Sequence, residues 1–168
     1  MILLSWRDNY RVGVPLIDTE HQYLFALINE FHDKYAVGEA HRELLLVLNR
    51  LVAYAEGHFQ HEEALMREIG YPRLARQQDL HERLYSSIFA VNEKLSRDNA
   101  KADAETLRFL KHWILGHILT EDMDIGDFMR RKTAQAEKRI HAASANPAAE
   151  PAVAKAGAAG QIQLPPAN

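Results

Sequence analysis

The stretch HRELLLVLNRLVAYAEGHFQHEEALMREIG, residues 41–70, determines the fold class of this chain. Its apolar side chains recur every three or four residues, which is the spacing of one face of an α-helix. Gly70, just before Tyr71 and Pro72, marks the end of this helix. The sequence therefore predicts a long helix whose inner face also carries two polar groups. Its inner positions are Leu44, Leu48, Leu51, Val52, Ala55, His58, Glu62, Leu65 and Ile69.

Three other segments repeat this spacing. Asp18 or Thr19 is expected to cap the first helix. The connectors VGEA, GYP and SRDNAK are short, so neighbouring helices should run antiparallel. The inner positions are His21, Leu24, Phe25, Ile28, Phe31 and Tyr35 in the first helix, Leu74, Gln77, His81, Leu84, Ile88, Val91 and Leu95 in the third, and Thr106, Leu110, Trp113 and His117 in the fourth. The sequence predicts an all-α, antiparallel up-down-up-down four-helix bundle over residues 1–133, with an irregular N-terminal arm.

Residues 134–168 differ in composition from the rest of the chain. The final stretch AASANPAAEPAVAKAGAAGQIQLPPAN consists mostly of Ala, Pro and Gly and has no aromatic residue. Such a segment buries too little apolar area to offset the entropy of ordering it. We therefore expect a helix remnant followed by a disordered tail.

Bulk composition excludes several classes of protein. With 20 basic and 23 acidic residues, the chain has no excess positive charge for a nucleic acid. It has no cysteine, which excludes disulfides and thiolate-bound metal and suits a reducing cytoplasm. No apolar run approaches the ~18 residues that a membrane helix needs. We expect a soluble, cytoplasmic protein with neither a nucleic-acid nor a membrane partner.

Polar side chains share one end of the predicted bundle. Because helix directions alternate, the start of the first and third helices meets the end of the second and fourth. An unpaired carboxylate buried at this level costs several kcal/mol, whereas a bound cation makes ligands of the carboxylate and its neighbouring imidazoles. The sequence therefore predicts a metal site. The side chains at this level are His21, His58, Glu62, Gln77, His81 and His117.

The spacing of residues separates inner from outer positions in this region. His58 and Glu62 lie four residues apart, about 40° around a helix, so both can bind one centre. His61 and Glu63 point further round and are expected on the flank. The remaining histidines have no polar partners at this level and are interpreted as ordinary residues: His32, His41, His112 and His141.

One further ligand is expected within HILTEDMD, residues 117–124, which contains Glu121, Asp122 and Asp124. On a regular helix a residue five positions after His117 points about 140° away from it. Asp122 can be a ligand only if the helix ends or bulges just after His117, and Gly126 makes an ending plausible. Spacing alone does not choose among the three acids.

Several segments resemble the bacterial hemerythrin family (bacteriohemerythrins), which are non-haem di-iron proteins that bind O2. They are WRDNYRVGVPLIDTEHQYLFALINEFHD, HFQHEEALMREIGYP, His81 and FLKHWILGHILTED, and the similarity covers about residues 3–131. The resemblance implies two Fe ions joined by an oxo or hydroxo group. One iron would be held by His21 and His58, and the other by three ligands that include His81 and His117. Glu62 and Asp122 would bridge the irons.

The resemblance also implies an apolar O2 pocket, and it shows one departure from the family pattern. Gln77 stands where the family has a histidine ligand, and its amide oxygen is the weaker donor. The residues that match the pocket are Leu24, Phe59, Trp113, Ile114 and Ile118.

Reversible O2 binding, for delivery, storage or sensing, is the function that the resemblance implies. A pocket without a proton-donating side chain favours release of O2 over its reduction. The alternatives are a di-iron redox enzyme acting on O2, peroxide or nitric oxide, and a regulator that responds to O2 or redox state. The Glu-x-x-His pairs of ferritin-like oxidases do not occur in this chain.

Overall fold

A computed structural model describes residues 3–97 and 101–145 of the chain, and over these ranges it contains helices and no strand. Helix α1 packs against α2 and α4, and α3 packs against the same two helices. This arrangement confirms the predicted four-helix bundle. The helices are α1 (Pro15–Ala36), α2 (His41–Ile69), α3 (Leu74–Arg97), α4 (Ala104–His117) and α5 (Met123–Ala145), with a π-helical turn at Ile118–Asp122 between the last two.

Helix α1 begins earlier than the sequence predicts. Its first residue is Pro15, whose fixed φ angle suits the first position of a helix. Asp18 and Thr19 therefore lie inside the helix, and the prediction that one of them caps it is wrong. The Asp18 carboxylate instead accepts hydrogen bonds from the backbone N–H groups of Val12 (2.7 Å) and Gly13 (3.2 Å). It fastens the N-terminal arm to the bundle.

The arm itself is irregular, as predicted, apart from a 3₁₀ turn at Asp8–Tyr10. Asn29 of α1 pairs with the backbone of Leu4 through two hydrogen bonds of 2.8 Å. The ring of Trp6 packs against Phe25, with 5.5 Å between ring centroids. These contacts hold the arm along the first helix.

The inner faces differ from the predicted ones at several positions. In α2, Met66 is fully buried whereas Leu65 and Ile69 are half-buried. In α3, Asn92 is buried in place of Val91, and its side-chain amide donates to Asn49 Oδ1 at 2.8 Å. A helix of 3.6 residues per turn drifts relative to a repeat of three and four, so the buried face rotates along a long helix. The other predicted inner positions that are half-buried are Tyr35, Leu74, Leu84 and Thr106.

A second, smaller core lies beyond the polar level. It contains the buried residues Val12, Ile17, Met66, Tyr71 and Ile125, with Leu74 packed against them. On each of the four helical segments, one residue of this core or packed against it lies about one helical turn from a polar inner residue, on the side away from the main core. The pairs are Ile17 and His21, Met66 and Glu62, Leu74 and Gln77, and Ile125 and Asp122. The polar level is therefore enclosed between this second core and the main apolar core.

The fourth helical segment does not end after His117. Helical conformation continues through the π-helical turn and α5 to Ala145. The ending that Gly126 made plausible is therefore wrong, and the alternative, a bulge, is what the structure contains.

One compact unit of the chain ends at Thr133, and a second begins at Ala134. In the second unit, residues 134–144 are helical and exposed. Residues 146–168, on which the predicted disordered tail falls, lie outside the described residues. Among the described helices, none is long and apolar enough to cross a membrane.

Candidate metal centre

Six titratable side chains from the four-helix bundle converge on one buried region. They form two groups of potential metal ligands, and within each group the four ligand atoms lie within 4.8 Å of one another. The two carboxylates belong to both groups. Each of the six side chains belongs to a residue that is at most 5% exposed. The first group is His21, His58, Glu62 and Asp122, and the second is Glu62, His81, His117 and Asp122.

Each shared carboxylate faces imidazoles on both sides. Asp122 Oδ2 lies 3.3 Å from His21 Nε2, and its other oxygen, Oδ1, lies 3.1 Å from His117 Nε2. Glu62 Oε1 lies 3.6 Å from His21 Nε2, and Oε2 lies 3.3 Å from His81 Nε2. Each carboxylate thus lies between the imidazoles of the two groups and could hold a cation on either side.

Six of the potential ligand atoms have no hydrogen-bond partner among the described residues, while Nε2 of His81 and Nε2 of His117 lie 3.1 Å apart. Within the part of the chain that is described, both oxygens of Glu62, both oxygens of Asp122, and Nε2 of His21 and His58 have no hydrogen-bond partner. Buried polar atoms left in this state are rare because each costs free energy. Their lone pairs face a common space, so the residues present fit a pair of bound cations, and nitrogen and oxygen donors of this kind suit iron.

The π-helical turn positions the last of these carboxylates. One extra residue in the turn brings Asp122 to the same face as His117. Arg76 at the start of α3 pairs with Glu121, the residue before Asp122. Arg73 donates to Asp124 Oδ2 at 2.6 Å. One ion pair thus ties this turn to α3, and the other ties the start of α5 to the residue before α3.

Two more carboxylates orient the imidazoles from outside. Glu20 Oε2 lies 3.0 Å from His58 Nδ1, and Glu63 Oε1 lies 3.0 Å from His81 Nδ1. An imidazole whose Nδ1–H donates to a carboxylate presents Nε2 as the metal-binding nitrogen. The sequence placed Glu63 on the flank but did not identify Glu20. The sequence signal that could have identified Glu20 is its position next to His21, since residues one position apart lie at the same level of a helix.

His61 also contacts this outer layer. Its Nδ1 lies 2.5 Å from Glu20 Oε1, and its side chain is 55% exposed. His61 is therefore at the surface, on the flank where the sequence placed it. The other histidines lie away from the centre: His32 pairs with Asp33, His41 Nε2 lies 2.9 Å from the carbonyl oxygen of Leu95, His112 contacts the carbonyl oxygen of Arg108, and His141 is exposed.

The electrostatics of the metal-free site are dominated by its two carboxylates. Burial alone would lower the pKa of His21, but Asp122 and Glu62 raise it to about 9. Burial alone would also lower the pKa of His117, but the same two carboxylates outweigh it, so the pKa is raised. Burial alone would raise the pKa of Glu62, yet the surrounding histidines, His58 foremost, hold it well below its usual value. Without metal, the buried carboxylates therefore favour the protonated forms of His21 and His117.

The five apolar residues expected to form the O2 pocket are all buried in the main core. The ring of Phe59 stacks on His81 with 4.3 Å between centroids and lies 5.7 Å from His117. Trp113 has the only polar side-chain atom among the five, and its Nε1 donates to the carbonyl oxygen of Leu84 at 3.0 Å. The others are Leu24, Ile114 and Ile118, each at most 1% exposed.

Gln77 lies on the inner face of α3, one helical turn before His81. It is 1% exposed, and neither atom of its amide has a hydrogen-bond partner among the described residues. Its expected role as a ligand remains a prediction.

Known proteins are similar to this chain in sequence and in fold. Residues 12–128 match the family model described as the hemerythrin HHE cation binding domain. A bacteriohemerythrin of Pseudomonas aeruginosa is 31% identical over 140 residues, which cover 82% of this chain and 89% of that protein. A bacteriohemerythrin of Clostridium acetobutylicum is 31% identical over 135 residues, covering 74% of this chain and 100% of that one.

More distant relatives agree with these matches. A myohemerythrin of Theromyzon tessulatum is 29% identical over 118 residues, covering 70% of this chain and 87% of that protein. The crystal structure of a wild-type hemerythrin superposes with a TM-score of 0.69 at 28% identity, covering 74% of this chain and 96% of that one. The chain therefore belongs to the hemerythrin family, and its cofactor is a di-iron centre that binds O2.

Proposed function

We propose that this protein binds O2 reversibly and uses this binding for O2 delivery, storage or sensing in the cytoplasm. In this proposal His21 and His58 would hold one iron, and His81 and His117 would hold the other. Glu62 and Asp122 would be ligands of both. The iron pair supplies the redox chemistry of O2 binding, and the protein residues around it determine whether O2 is released unchanged.

The apolar lining beside His81 and His117 is the observation that carries the proposal. Phe59 covers both imidazoles, and Ile114 and Ile118 are at most 1% exposed. The indole N–H of Trp113, the one polar group in this lining, already donates a hydrogen bond to a carbonyl oxygen. The five lining residues therefore offer no free proton to bound O2, which favours its release over its reduction.

Reversibility can be measured directly. The purified protein is reduced without oxygen, titrated with O2 and then evacuated, while the optical charge-transfer band of the oxygenated centre is recorded. We expect the band to appear and disappear over repeated cycles. Irreversible bleaching, or turnover of added peroxide or nitric oxide, would contradict the proposal and support a di-iron redox enzyme.

A matched pair of variants tests the role of the lining. Ile118→Thr places a hydroxyl beside the centre and should shorten the lifetime of the oxygenated form. Leu119→Thr makes the same kind of change at a side chain that is 44% exposed and should leave that lifetime unchanged. Equal lifetimes in both variants and the parent would show that the apolar lining does not control release.

A further inference from the structure

We propose that the side-chain amide oxygen of Gln77 is a metal ligand on the His81/His117 side of the centre. We also propose that this amide binds its cation more weakly than an imidazole at the same position would. The inference rests on the ligand set proposed above and adds a difference between its two halves.

The first argument is the state of the Gln77 amide. The residue is 1% exposed, and within the described chain neither its oxygen nor its nitrogen has a hydrogen-bond partner. A buried amide without partners destabilises a fold, because it loses its hydrogen bonds to water and gains none. The neighbouring Gln78 shows the ordinary outcome, since its Nε2 donates to Glu63 Oε2 at 2.9 Å. The Gln77 amide therefore requires a partner that is not a protein group.

The second argument is its position along α3. Gln77 lies four residues before His81, on the same face and about 6 Å along the helix axis. Leu74, one turn further out, packs against the second core. Gln77 thus stands between an apolar layer and an imidazole whose Nε2 lies 3.3 Å from the shared Glu62 carboxylate. The other buried atoms without partners near this level are atoms of the ligand residues of the metal centre and Trp6 Nε1, whose ring lies 6.4 Å from that of His21.

The chemistry of the donors gives the consequence. Each side of the centre has two imidazoles and a share in the same two carboxylates. An amide oxygen is a neutral, hard donor of the kind that Mg²⁺, Ca²⁺ and Mn²⁺ accept, whereas imidazole suits iron and zinc better. With Gln77 the His81/His117 position has one more oxygen donor than the other position, and its cation should exchange more readily than it would with a histidine at position 77.

Substitution by leucine separates a ligand from a packing residue. In the metal-free protein, Gln77→Leu removes a buried amide without partners and should raise the melting temperature. In anaerobic titrations with Fe²⁺, the same variant should bind the ion at the His81/His117 position, here called the second, about tenfold more weakly or worse, the loss typical when groups that support a metal are removed. Opposite signs in the two measurements are specific to a ligand, since a packing residue would not weaken the second step.

Two further variants complete the experiment. Gln77→His supplies an imidazole and should tighten the second Fe²⁺ step at least severalfold, leaving the first step unchanged. It should also slow the autoxidation of the oxygenated protein. Gln22→Leu is the control, because it makes the same change at an exposed position next to His21 and should alter neither step.

The outcomes are distinguishable. If the parent binds two Fe²⁺ ions and Gln77→Leu binds both with parental affinity, the Gln77 ligand is wrong while the di-iron centre stands. If Gln77→His leaves the second step and the autoxidation rate unchanged, the same conclusion follows. If the parent binds no second Fe²⁺ ion, the proposed ligand set fails as well.

Discussion

His117 and Asp122 are five residues apart in sequence, yet His117 Nε2 lies 3.1 Å from Asp122 Oδ1. On a regular α-helix these side chains would point about 140° apart. The π-helical turn at Ile118–Asp122 adds one residue to the turn and brings both to the inner face. Rare π-helical turns of this kind occur frequently at functional sites, and here the turn supplies a carboxylate that both ligand groups share.

The first prediction concerns removal of iron. We expect two irons per chain, and they bind the folded state alone. Chelation should therefore lower the melting temperature by about 20 °C, which corresponds to about 4 kcal/mol for each of two ions at ~1,000 times its Kd. The His58→Ala variant should bind less iron and show a smaller difference between loaded and metal-free samples. Iron analysis and calorimetry measure both quantities. Absence of iron, together with identical melting of treated and untreated protein, would refute the prediction.

The second prediction concerns Glu20, which orients His58 from outside the centre. Glu20→Ala should reduce iron affinity about 10–100-fold, because His58 loses the acceptor that fixes its Nδ1–H. His61→Ala is the matched control, since His61 bonds to the other oxygen of Glu20 and is largely exposed. Competition with a chelator reports the affinities. Equal affinities in Glu20→Ala and His61→Ala would show that Glu20 does not support the ligand.

The third prediction is a pH dependence of the metal-free protein. The folded-state pKa of His21 is raised to about 9 from an unfolded value of 6.5, mainly by Asp122 and Glu62 acting against burial. A raised histidine pKa stabilises the fold below the unfolded pKa, and this stability is lost as pH rises through the folded pKa. The free energy of unfolding should therefore fall between about pH 6.5 and pH 9, by up to about 3 kcal/mol.

Denaturant titrations of metal-free protein at several pH values measure this loss. The iron-loaded protein should not show it, since bound metal takes neutral imidazoles and replaces their protons. His21→Leu should flatten the profile of the metal-free protein over the same range. A profile that is flat in the parent would contradict the assigned charge of His21.

The fourth prediction concerns a close approach at Gly126. A Cβ built there would lie 2.2 Å from the backbone oxygen of Val12, so the backbone itself would have to move. Gly126→Ala should destabilise the protein by about 1–3 kcal/mol. At Gly116, also helical, nothing lies within 4 Å of an added Cβ, and alanine there should stabilise by up to about 1 kcal/mol. Chemical denaturation of both variants decides, and a neutral Gly126→Ala would rule out the tight contact.

The fifth prediction concerns the C-terminal part of the chain. Ending the chain after Ala145 should leave iron content and the spectrum of the oxygenated form unchanged, because the Ala- and Pro-rich segment cannot build a core. Ending it after Thr133 removes a helical stretch whose residues 134–144 are exposed, and the site should again be retained. Loss of iron from the shorter protein alone would place the true domain boundary after residue 133.

Much of this architecture was accessible from local sequence patterns. Helical spacing within each segment revealed four inner faces, and alternating helix directions brought His21, His58, Glu62, His81 and His117 to one level. A buried carboxylate among imidazoles indicated a cation, since no other partner compensates such a charge as well. These inferences needed residue spacing and burial cost alone.

Other features depend on contacts between residues distant in sequence. Spacing could not choose between an ended helix and a bulge after His117. The ion pairs that hold this region, Arg76 with Glu121 and Arg73 with Asp124, join positions 45 and 51 residues apart. Glu20 gained its role only when α2 packed against it, 38 residues along the chain from His58. Periodicity along one helix shows which face is buried, but it does not show which neighbouring helix contacts that face. The contacts with that neighbour determine whether a polar side chain becomes a metal ligand, supports a ligand or lies at the surface.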